Sequence, residues 1–243
     1  MEKVALPFDK AEMTAPEVII NRAQIDIFQD SVMKLPVFDH PFLIKLSKGA
    51  YSDKAVRFTF LQFSKHVQIF TACLGALIGS APTVRDRAVL FDNLQEEMGG
   101  GALLGAHYML YVRMLNSMGI SHEEIDRTEA VPSLLVLNDA LDAAVRRSFV
   151  SGLAWLGIGG ELTIPNNFPY LAQAAKKTFA NIDTGFFERH GSRDDEHNCD
   201  THLLLAMHIK TKADFHLVTQ EAMKSLWLRA AVWDEIGHTA AGM

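Results

Sequence analysis

Hydrophobic residues recur along most of the chain at the three- and four-residue spacing of amphipathic α-helices. The clearest stripe lies in a segment that Ser52 or Asp53 can cap and that extends to Gly79; it consists of Phe60, Phe63, Val67, Phe70, Leu74 and Leu77. Runs of alternating β-branched residues, which are typical of strands, are nearly absent. The pattern predicts an all-α protein with a single domain over residues 1–243, about seven main helices and a tail, 238–243, that frays.

Turn and capping residues predict where the helices begin and end. The predicted helices span residues 16–35, 42–48, 53–79, 83–98, 102–118, 121–126, 132–162, 166–179, 185–210 and 214–237. Gly99, Gly100 and Gly101 directly follow one of these helices, and three glycines make a continuous helix costly at that point. We therefore expect a hinge or a sharp kink there.

Composition narrows the possible classes of function. The 243 residues are 49% hydrophobic and 21% charged, with a net charge of −6, which is the balance of a folded globular protein. The absence of a long basic run argues against nucleic-acid binding, and no apolar stretch is long enough to span a membrane. The N-terminal segment lacks the apolar core of a signal peptide. With only Cys73 and Cys199, a cytoplasmic protein with reduced thiols is expected.

The densest group of metal-ligand side chains lies in residues 186–202, FFERHGSRDDEHNCDTH. On one continuous helix each residue turns about 100°, so His190, Asp194 and His197 would share one face. Two imidazoles and one carboxylate can together bind iron, manganese or zinc. The alternative is a solvated polar face of the helix, which explains a single histidine more easily than three side chains in register.

Three further side chains could complete such a site because apolar residues surround them. Glu161 follows the apolar, glycine-rich segment SGLAWLGIGG, and this buried segment favours a metal ligand over a buried paired charge or a glutamate that reaches solvent at the end of a helix. His107 has apolar neighbours on every side and, taken alone, is more often a structural core residue. His66 lies beside the apolar stripe and is either a ligand or a core histidine.

Glu96 and Glu97 precede the three glycines, and one member of such a pair usually faces solvent. On an unbroken helix Glu97 and His107 would lie about 15 Å apart, too far to share a metal ion. A break at the glycines could bring the two side chains together, but the spacing alone leaves this open.

A set of six residues resembles, in order and spacing, the ligands of the haem-oxygenase-like diiron oxidases, also called oxygenases: Glu97, His107, Glu161, His190, Asp194 and His197. These enzymes share a wider helical fold with thiaminase-like and pyrroloquinoline-quinone-synthase-like proteins. The segment NLQEEMGGGALLGAH is similar to the family's Asn-Leu-x-x-Glu followed by glycines and a histidine. The resemblance covers residues 39–209 and implies a haem-oxygenase-like bundle.

The resemblance implies that these six residues bind two Fe(II) ions and that O2 is a co-substrate. It also implies catalytic roles for the carboxylates Glu97, Glu161 and Asp194. The family usually supplies a further carboxylate from the helix that spans residues 53–79 here. No Asp or Glu occurs between Lys54 and Gly79, so His66, Gln68 or water would replace it. One of the two irons is therefore expected to be labile.

The resemblance further implies oxidation of a small organic acid in small-molecule biosynthesis. We expect an amino acid or amino-acid-like substrate with an apolar or aromatic side chain, and a reaction of oxidative cleavage, rearrangement including nitrile formation, desaturation or N-oxygenation. The alternatives are a diiron fatty-acid decarboxylase, a metal-free thiaminase-like enzyme and a helical binding protein with a vestigial site. An external electron donor and a homodimer are further expectations. The expected pocket residues are Phe63, Phe70, Tyr108, Trp155 and Phe187.

Overall fold

The computed structural model describes the backbone of residues 10–190 and 194–243 and the side chains of residues 11–190 and 200–243. All regular structure in these residues is helical, as predicted. The α-helices are α1 (Lys10–Met13), α2 (Pro16–Val32), α3 (Pro41–Ser47), α4 (Asp53–Ser80), α5 (Val84–Glu97), α6 (His107–Ser117), α7 (His122–Arg127), α8 (Pro132–Arg147), α9 (Phe149–Leu153), α10 (Ile164–Thr178), α11 (Gly185–His190), α12 (Asp194–His208) and α13 (Lys212–Ala240). Short 3₁₀ segments occur at Leu103–Gly105 and Glu161–Thr163, and a π-helix at Ala154–Ile158. The chain thus forms more and shorter helices than expected from the sequence.

Side-chain caps fix the starts of the long helices. The hydroxyl of Ser52 accepts a hydrogen bond from a backbone N–H in the first turn of α4. Thr83 and Asp86 form a reciprocal capping box at the start of α5, and Thr211 and Asp214 form another at the start of α13. These caps satisfy backbone N–H groups that have no partner within their own helix.

Three helices form the centre of the bundle. α4 packs along α8, and α13 packs against both. Around them, α10 lies on α3, α12 lies on α2, and α5 and α6 both contact α4. The side chains between the central helices are almost fully buried, among them Phe60, Leu74, Leu137 and Ile236. Removal of this apolar surface from water is the main force that holds the helices together.

The predicted helix over residues 132–162 is interrupted after α8. Ser148 has an extended backbone (φ −161°, ψ 153°), and its hydroxyl caps α9 by accepting a hydrogen bond from the N–H of Ser151 at 3.1 Å. After α9 the backbone widens into the π-helix, where the N–H of Gly159 donates to the carbonyl of Ala154 at 2.9 Å. Only Gly159 and Gly160 separate the π-helix from Glu161, and single-turn π-helices of this kind are frequent at functional sites.

Two other helices differ from their predicted extent. The sequence predicts one helix over residues 185–210; the structure has α11 and α12, and residues 191–193 between them lie outside the described part of the chain. α13 continues to Ala240, whose side chain is 2% exposed, so the expected fraying of the tail 238–243 is wrong for residues 238–240. A Cβ on Gly237 would lie 2.8 Å from the ring of Phe42, so α13 and α3 pack very closely here. None of the described helices has both the length and the apolar character of a bilayer-spanning segment.

Candidate metal centre

Glu97, His107 and His190 form a buried group with the donor atoms that a metal ion requires. One ligand atom from each side chain lies within 4.8 Å of the other two, and the three residues are 6%, 5% and 9% exposed. Glu97 ends α5, His107 begins α6 and His190 ends α11. Ligand-type side chains from three separate helices therefore meet at one point in the interior.

The turn between α5 and α6 brings Glu97 and His107 together. The kink expected at the three glycines is present. Gly99, Gly100 and Gly101 have φ angles of +85°, +62° and +97°, which lie in the left-handed region that glycine adopts more easily than other residues. Nδ1 of His107 is 2.8 Å from Oε2 of Glu97, whereas an unbroken helix would separate the residues by about 15 Å. The reversal of the chain at the glycines therefore produces the contact between Glu97 and His107, which the sequence spacing did not determine.

The geometry of this pair suits two ligands of one ion better than a hydrogen bond. Although Nδ1 of His107 is close to the carboxylate of Glu97, the two groups lack hydrogen-bond alignment, and neither ring nitrogen of His107 has a hydrogen-bond partner among the described residues. A buried polar group without a partner costs folding free energy. Ligand atoms at about 2.1 Å from one ion and at right angles would lie about 3 Å apart, close to the observed separation.

A hydrogen bond fixes the orientation of the His190 ring. Its Nδ1 lies 2.8 Å from the carbonyl oxygen of Phe186, one helical turn earlier. Because a carbonyl only accepts, Nδ1 carries the proton and Nε2 carries the lone pair that a metal ion needs. The rings of Phe168 and Phe186 pack against the imidazole, with centroids 4.9 and 4.4 Å away. Metal-binding histidines typically have such a second hydrogen bond, which holds tautomer and orientation.

Glu161 faces the same cavity from the segment after the π-helix and is 7% exposed. It lies outside the three-residue group described above. A Cβ on Gly157 would be 2.4 Å from Thr201, and one on Gly159 would be 2.3 Å from Ser225. Glycine is therefore required at these positions because α12 and α13 pack directly on this backbone. The glycine-rich segment makes room for neighbouring helices and holds Glu161 in the interior.

His66 lines the cavity from α4 as a neutral imidazole. Its Nδ1 is 2.8 Å from Oδ1 of Asn138, whose amide nitrogen donates to the carbonyl of Lys65 at 3.2 Å. These bonds place the proton on Nδ1, so that Nε2 is an acceptor. Burial, with a smaller contribution from the charge of Arg229, lowers the pKa of His66 to about 3. His66 can therefore donate a lone pair to an ion or accept a hydrogen bond from a bound molecule.

Arg229, on α13, is a cavity residue that the sequence reasoning missed. Its side chain lies in the interior, and the residue is 9% exposed. Burial lowers the pKa of the guanidinium to about 10, while the carboxylate of Glu161 acts in the opposite direction; the group therefore stays charged at neutral pH. The sequence does contain a signal, since Arg229 is the one charge in the segment SLWLRAAVW.

Aromatic side chains form much of the cavity wall. Of the five expected residues, Phe63, Phe70 and Tyr108 line the cavity. Phe63 stacks on Trp233, with centroids 5.6 Å apart and an angle of 26° between the rings. The aromatic residues that the sequence did not point to are Phe168, Phe186 and Trp233. The centres of water-sized molecules can occupy about 80 Å³ of the cavity, enough for several waters or a small ligand.

The other two expected wall residues, Trp155 and Phe187, do not line the cavity, and that expectation is corrected. The indole Nε1 of Trp155 donates to Oε2 of Glu221 at 2.7 Å, which turns the ring toward α13. Phe187 packs edge-on against Phe60, with centroids 6.4 Å apart. Its neighbour Phe186 occupies the cavity face of α11 instead, because adjacent residues on a helix point about 100° apart.

The remaining two predicted ligands, Asp194 and His197, lie on α12, whose backbone is described from Asp194 onward. Their side chains are outside the described part of the structure. The shared helical face proposed for them with His190 therefore stays a prediction.

A family model described as "iron-containing redox enzyme" matches residues 57–235. The chain belongs to this family. The match spans every cavity residue discussed above, from Phe63 to Trp233. The nitrogen and oxygen donors of Glu97, His107 and His190 suit the iron in the family description. Site and family therefore agree on an iron-containing redox enzyme.

One curated protein and two solved structures are also similar to this chain. A protein named 4-aminobenzoate synthase from Chlamydia trachomatis is 24% identical over 199 residues, which cover 79% of this chain and 83% of that protein. A TenA homologue from Pseudomonas syringae pv. tomato has a TM-score of 0.75 at 15% identity and covers 88% of this chain and 92% of its own. A domain with a heme oxygenase-like fold from Shewanella denitrificans has a TM-score of 0.70 at 16% identity, covering 90% and 91%. This iron-containing redox enzyme thus has the haem-oxygenase-like fold that the sequence resemblance implied.

Proposed function

We propose that this iron-containing redox enzyme is an O2-dependent non-haem diiron oxidase of a small organic acid. The observation that supports the proposal best is the buried group of Glu97, His107 and His190, which opens onto an aromatic cavity. A donor set of two imidazoles and a carboxylate favours a transition metal over Mg²⁺ or Ca²⁺, and the family description selects iron. Burial keeps bulk water away from the reacting atoms.

Iron bound here would supply the binding and reduction of O2. The side chains of Glu97, His107 and His190 would hold one ion, and Glu161 with Asp194 and His197 would hold the second. The cavity face of α4 offers only His66 as a donor of the usual ligand types, so the second ion is held less tightly. The hydrogen bond from His190 Nδ1 to the carbonyl of Phe186 keeps that ring in its ligating orientation.

The proposed substrate is an amino acid or amino-acid-like acid with an apolar or aromatic side chain. The walls formed by Phe63, Phe70 and Trp233 favour such a group through apolar and ring contacts. The name of the relative from Chlamydia trachomatis gives 4-aminobenzoate as product, and a product with an amino group, an aromatic ring and a carboxylate supports a cavity that accepts molecules of this kind. Oxidative cleavage, rearrangement, desaturation and N-oxygenation all remain within the proposal, together with an external electron donor and a homodimeric assembly.

Two other functions remain alternatives. The first alternative is a metal-free thiaminase-like enzyme, which the similarity in fold to a TenA homologue supports. A metal-free enzyme does not account for three buried ligand-type side chains whose donor atoms lie within 4.8 Å of one another. A diiron fatty-acid decarboxylase would use the same ligands and an apolar cavity, so only a substrate panel separates it from the proposal.

The experiment is metal loading followed by O2 consumption. Full-length protein is loaded anaerobically with Fe(II), its iron content is measured, and O2 uptake is recorded with a panel of free amino acids and a panel of fatty acids. We expect about two irons per chain, one of them removed more easily by chelator, and uptake triggered by an amino acid with an apolar side chain. Full activity in excess chelator would overturn the metal assignment, and uptake only with fatty acids would overturn the substrate class.

A matched pair of variants links the activity to the site. His107→Ala should lose iron and activity while helical circular dichroism is retained. His216→Ala makes the same chemical change at an exposed position of α13 and should leave both unchanged. Equal iron content in the two variants would show that His107 is not a ligand.

A further inference from the structure

The guanidinium of Arg229 is a buried charge without a hydrogen-bond or close ion-pair partner in the described part of the chain, and the charge of Glu161 acts on it only from a longer distance. The residue is 9% exposed and lines the cavity, yet none of the described side chains or backbone groups forms a hydrogen bond with its Nε. Among the described residues, no group accepts a hydrogen bond from the guanidinium or forms an ion pair with it within 4 Å. Buried charges are normally paired, because removing a charge from water is expensive. A buried guanidinium with free N–H donors at a ligand cavity therefore points to an anion that binds there.

The backbone beside Arg229 leaves space for its side chain to face the cavity. A Cβ on Gly160 would lie 3.2 Å from Nη2 of Arg229, so the guanidinium lies directly over this glycine. Gly160 immediately precedes Glu161, and both line the cavity. The Arg229 side chain is thus held on the cavity wall, close to the site of the proposed second ion.

The other charges in the cavity do not neutralise Arg229 once metal is bound. The three carboxylates proposed to hold the two ions, Glu97, Glu161 and Asp194, carry three negative charges, whereas two Fe(II) ions carry four positive charges. His66 is neutral because burial keeps its pKa near 3. The guanidinium then contributes a positive charge with no counter-charge among the described lining residues, and an anionic substrate would restore the balance.

We propose that Arg229 binds the carboxylate of the substrate and that this contact makes the cavity specific for acids. A guanidinium presents two parallel N–H donors that match a carboxylate, which gives both strength and orientation. The rest of the acid occupies the part of the cavity walled by Phe63, Phe70 and Trp233. The inference rests on the proposed function for the identity of the cavity as the substrate site. It assigns the carboxylate to Arg229 and not to the metal.

The test compares acids with the corresponding amides, which lack the carboxylate charge. Calorimetric titrations of the anaerobic Fe(II)-loaded protein use two matched pairs, L-phenylalanine with L-phenylalaninamide and octanoate with octanamide. Wild-type protein should bind one acid at least about tenfold more tightly than its amide, the effect expected of a charge-assisted contact. Arg229→Gln should abolish this preference, Arg229→Lys should retain part of it, and the exposed-site control Arg146→Gln should retain it fully. Which pair shows the effect distinguishes amino acids from fatty acids.

Two results would overturn the inference. One is the absence of any acid preference in wild-type protein, including the absence of binding by every acid tested. The other is an unchanged preference in Arg229→Gln, which would place the carboxylate on the metal. A structural role is tested separately: if Arg229 serves only as the counter-charge of Glu161, Arg229→Gln should lower Tm and iron content, whereas on this proposal both are kept. Acid binding that depends on Arg229 without any O2 uptake would refute the proposed oxidase and leave this inference standing.

Discussion

Gly99 controls the turn that places Glu97 beside His107, and its replacement tests how the metal centre is built. We predict that Gly99→Ala weakens iron binding much more than Gly100→Ala does. The two glycines are adjacent, and both have positive φ angles, +85° and +62°. Their surroundings differ, and this difference makes Gly100→Ala a matched control.

The expected magnitude follows from what a methyl group would meet at each position. An alanine in the left-handed region costs about 1–2 kcal/mol, and both variants bear this cost. At Gly100 the added Cβ has no heavy atom within 4 Å. At Gly99 it would lie 2.3 Å from the carbonyl oxygen of Ala102, 2.5 Å from the nitrogen of Ala106 and 2.7 Å from the carbonyl carbon of Gly105. These are backbone atoms, so the turn must move, at a further cost of about 1–3 kcal/mol.

That movement acts directly on the ligands, because Ala106 is followed by His107. Displacement of His107 relative to Glu97 should weaken Fe(II) binding by about tenfold or more, equivalent to about 1.4 kcal/mol. Gly100→Ala should change the affinity by less than about threefold. Anaerobic competition titrations with a chromophoric chelator measure both affinities, and circular dichroism checks that the helices are retained. Equal iron binding by the two variants would show that the turn does not position the centre.

Other predictions concern single side chains. His190→Ala should reduce iron binding at least about tenfold with little change in helical content; full iron occupancy would remove it from the ligand set. The pKa of His66 is about 3 in the folded protein, below the ordinary value of 6.5, so between pH 3 and pH 6.5 the unfolded chain binds more protons than the folded one. The free energy of unfolding should therefore fall as the pH drops below 6.5, by about 2 kcal/mol at pH 5. Urea unfolding at several pH values should show a smaller pH dependence for His66→Gln than for wild type. Trp155→Phe removes the hydrogen bond to Glu221 and should lower the free energy of unfolding by about 1–3 kcal/mol. Substrate-triggered O2 uptake by the folded variant should be unchanged, and a loss of uptake would show that Trp155 contributes to the site.

Much of the local structure is predictable from the sequence because its causes lie close together along the chain. The three- and four-residue apolar spacing gives the helices, and the caps at Ser52 and Thr83 give two of their starts. The kink at Gly99 to Gly101 is predictable because three successive glycines oppose a continuous helix. The chemical types of the candidate ligands are also visible, since charged and imidazole groups in apolar surroundings need a partner.

The assembly of the site depends on packing between distant segments, which spacing along the chain does not specify. The 2.8 Å separation of Glu97 and His107 follows from the course of one turn. The exclusion of Trp155 from the cavity follows from the rotation of one helix, fixed where α12 and α13 contact the glycines of residues 157–160. In the sequence, Arg229 is an arginine within an apolar helical segment. Its position in the cavity wall follows only from the packing of α13 beside Glu161. A side chain's direction is set by how its helix is rotated about its axis, and that rotation is decided by tertiary contacts.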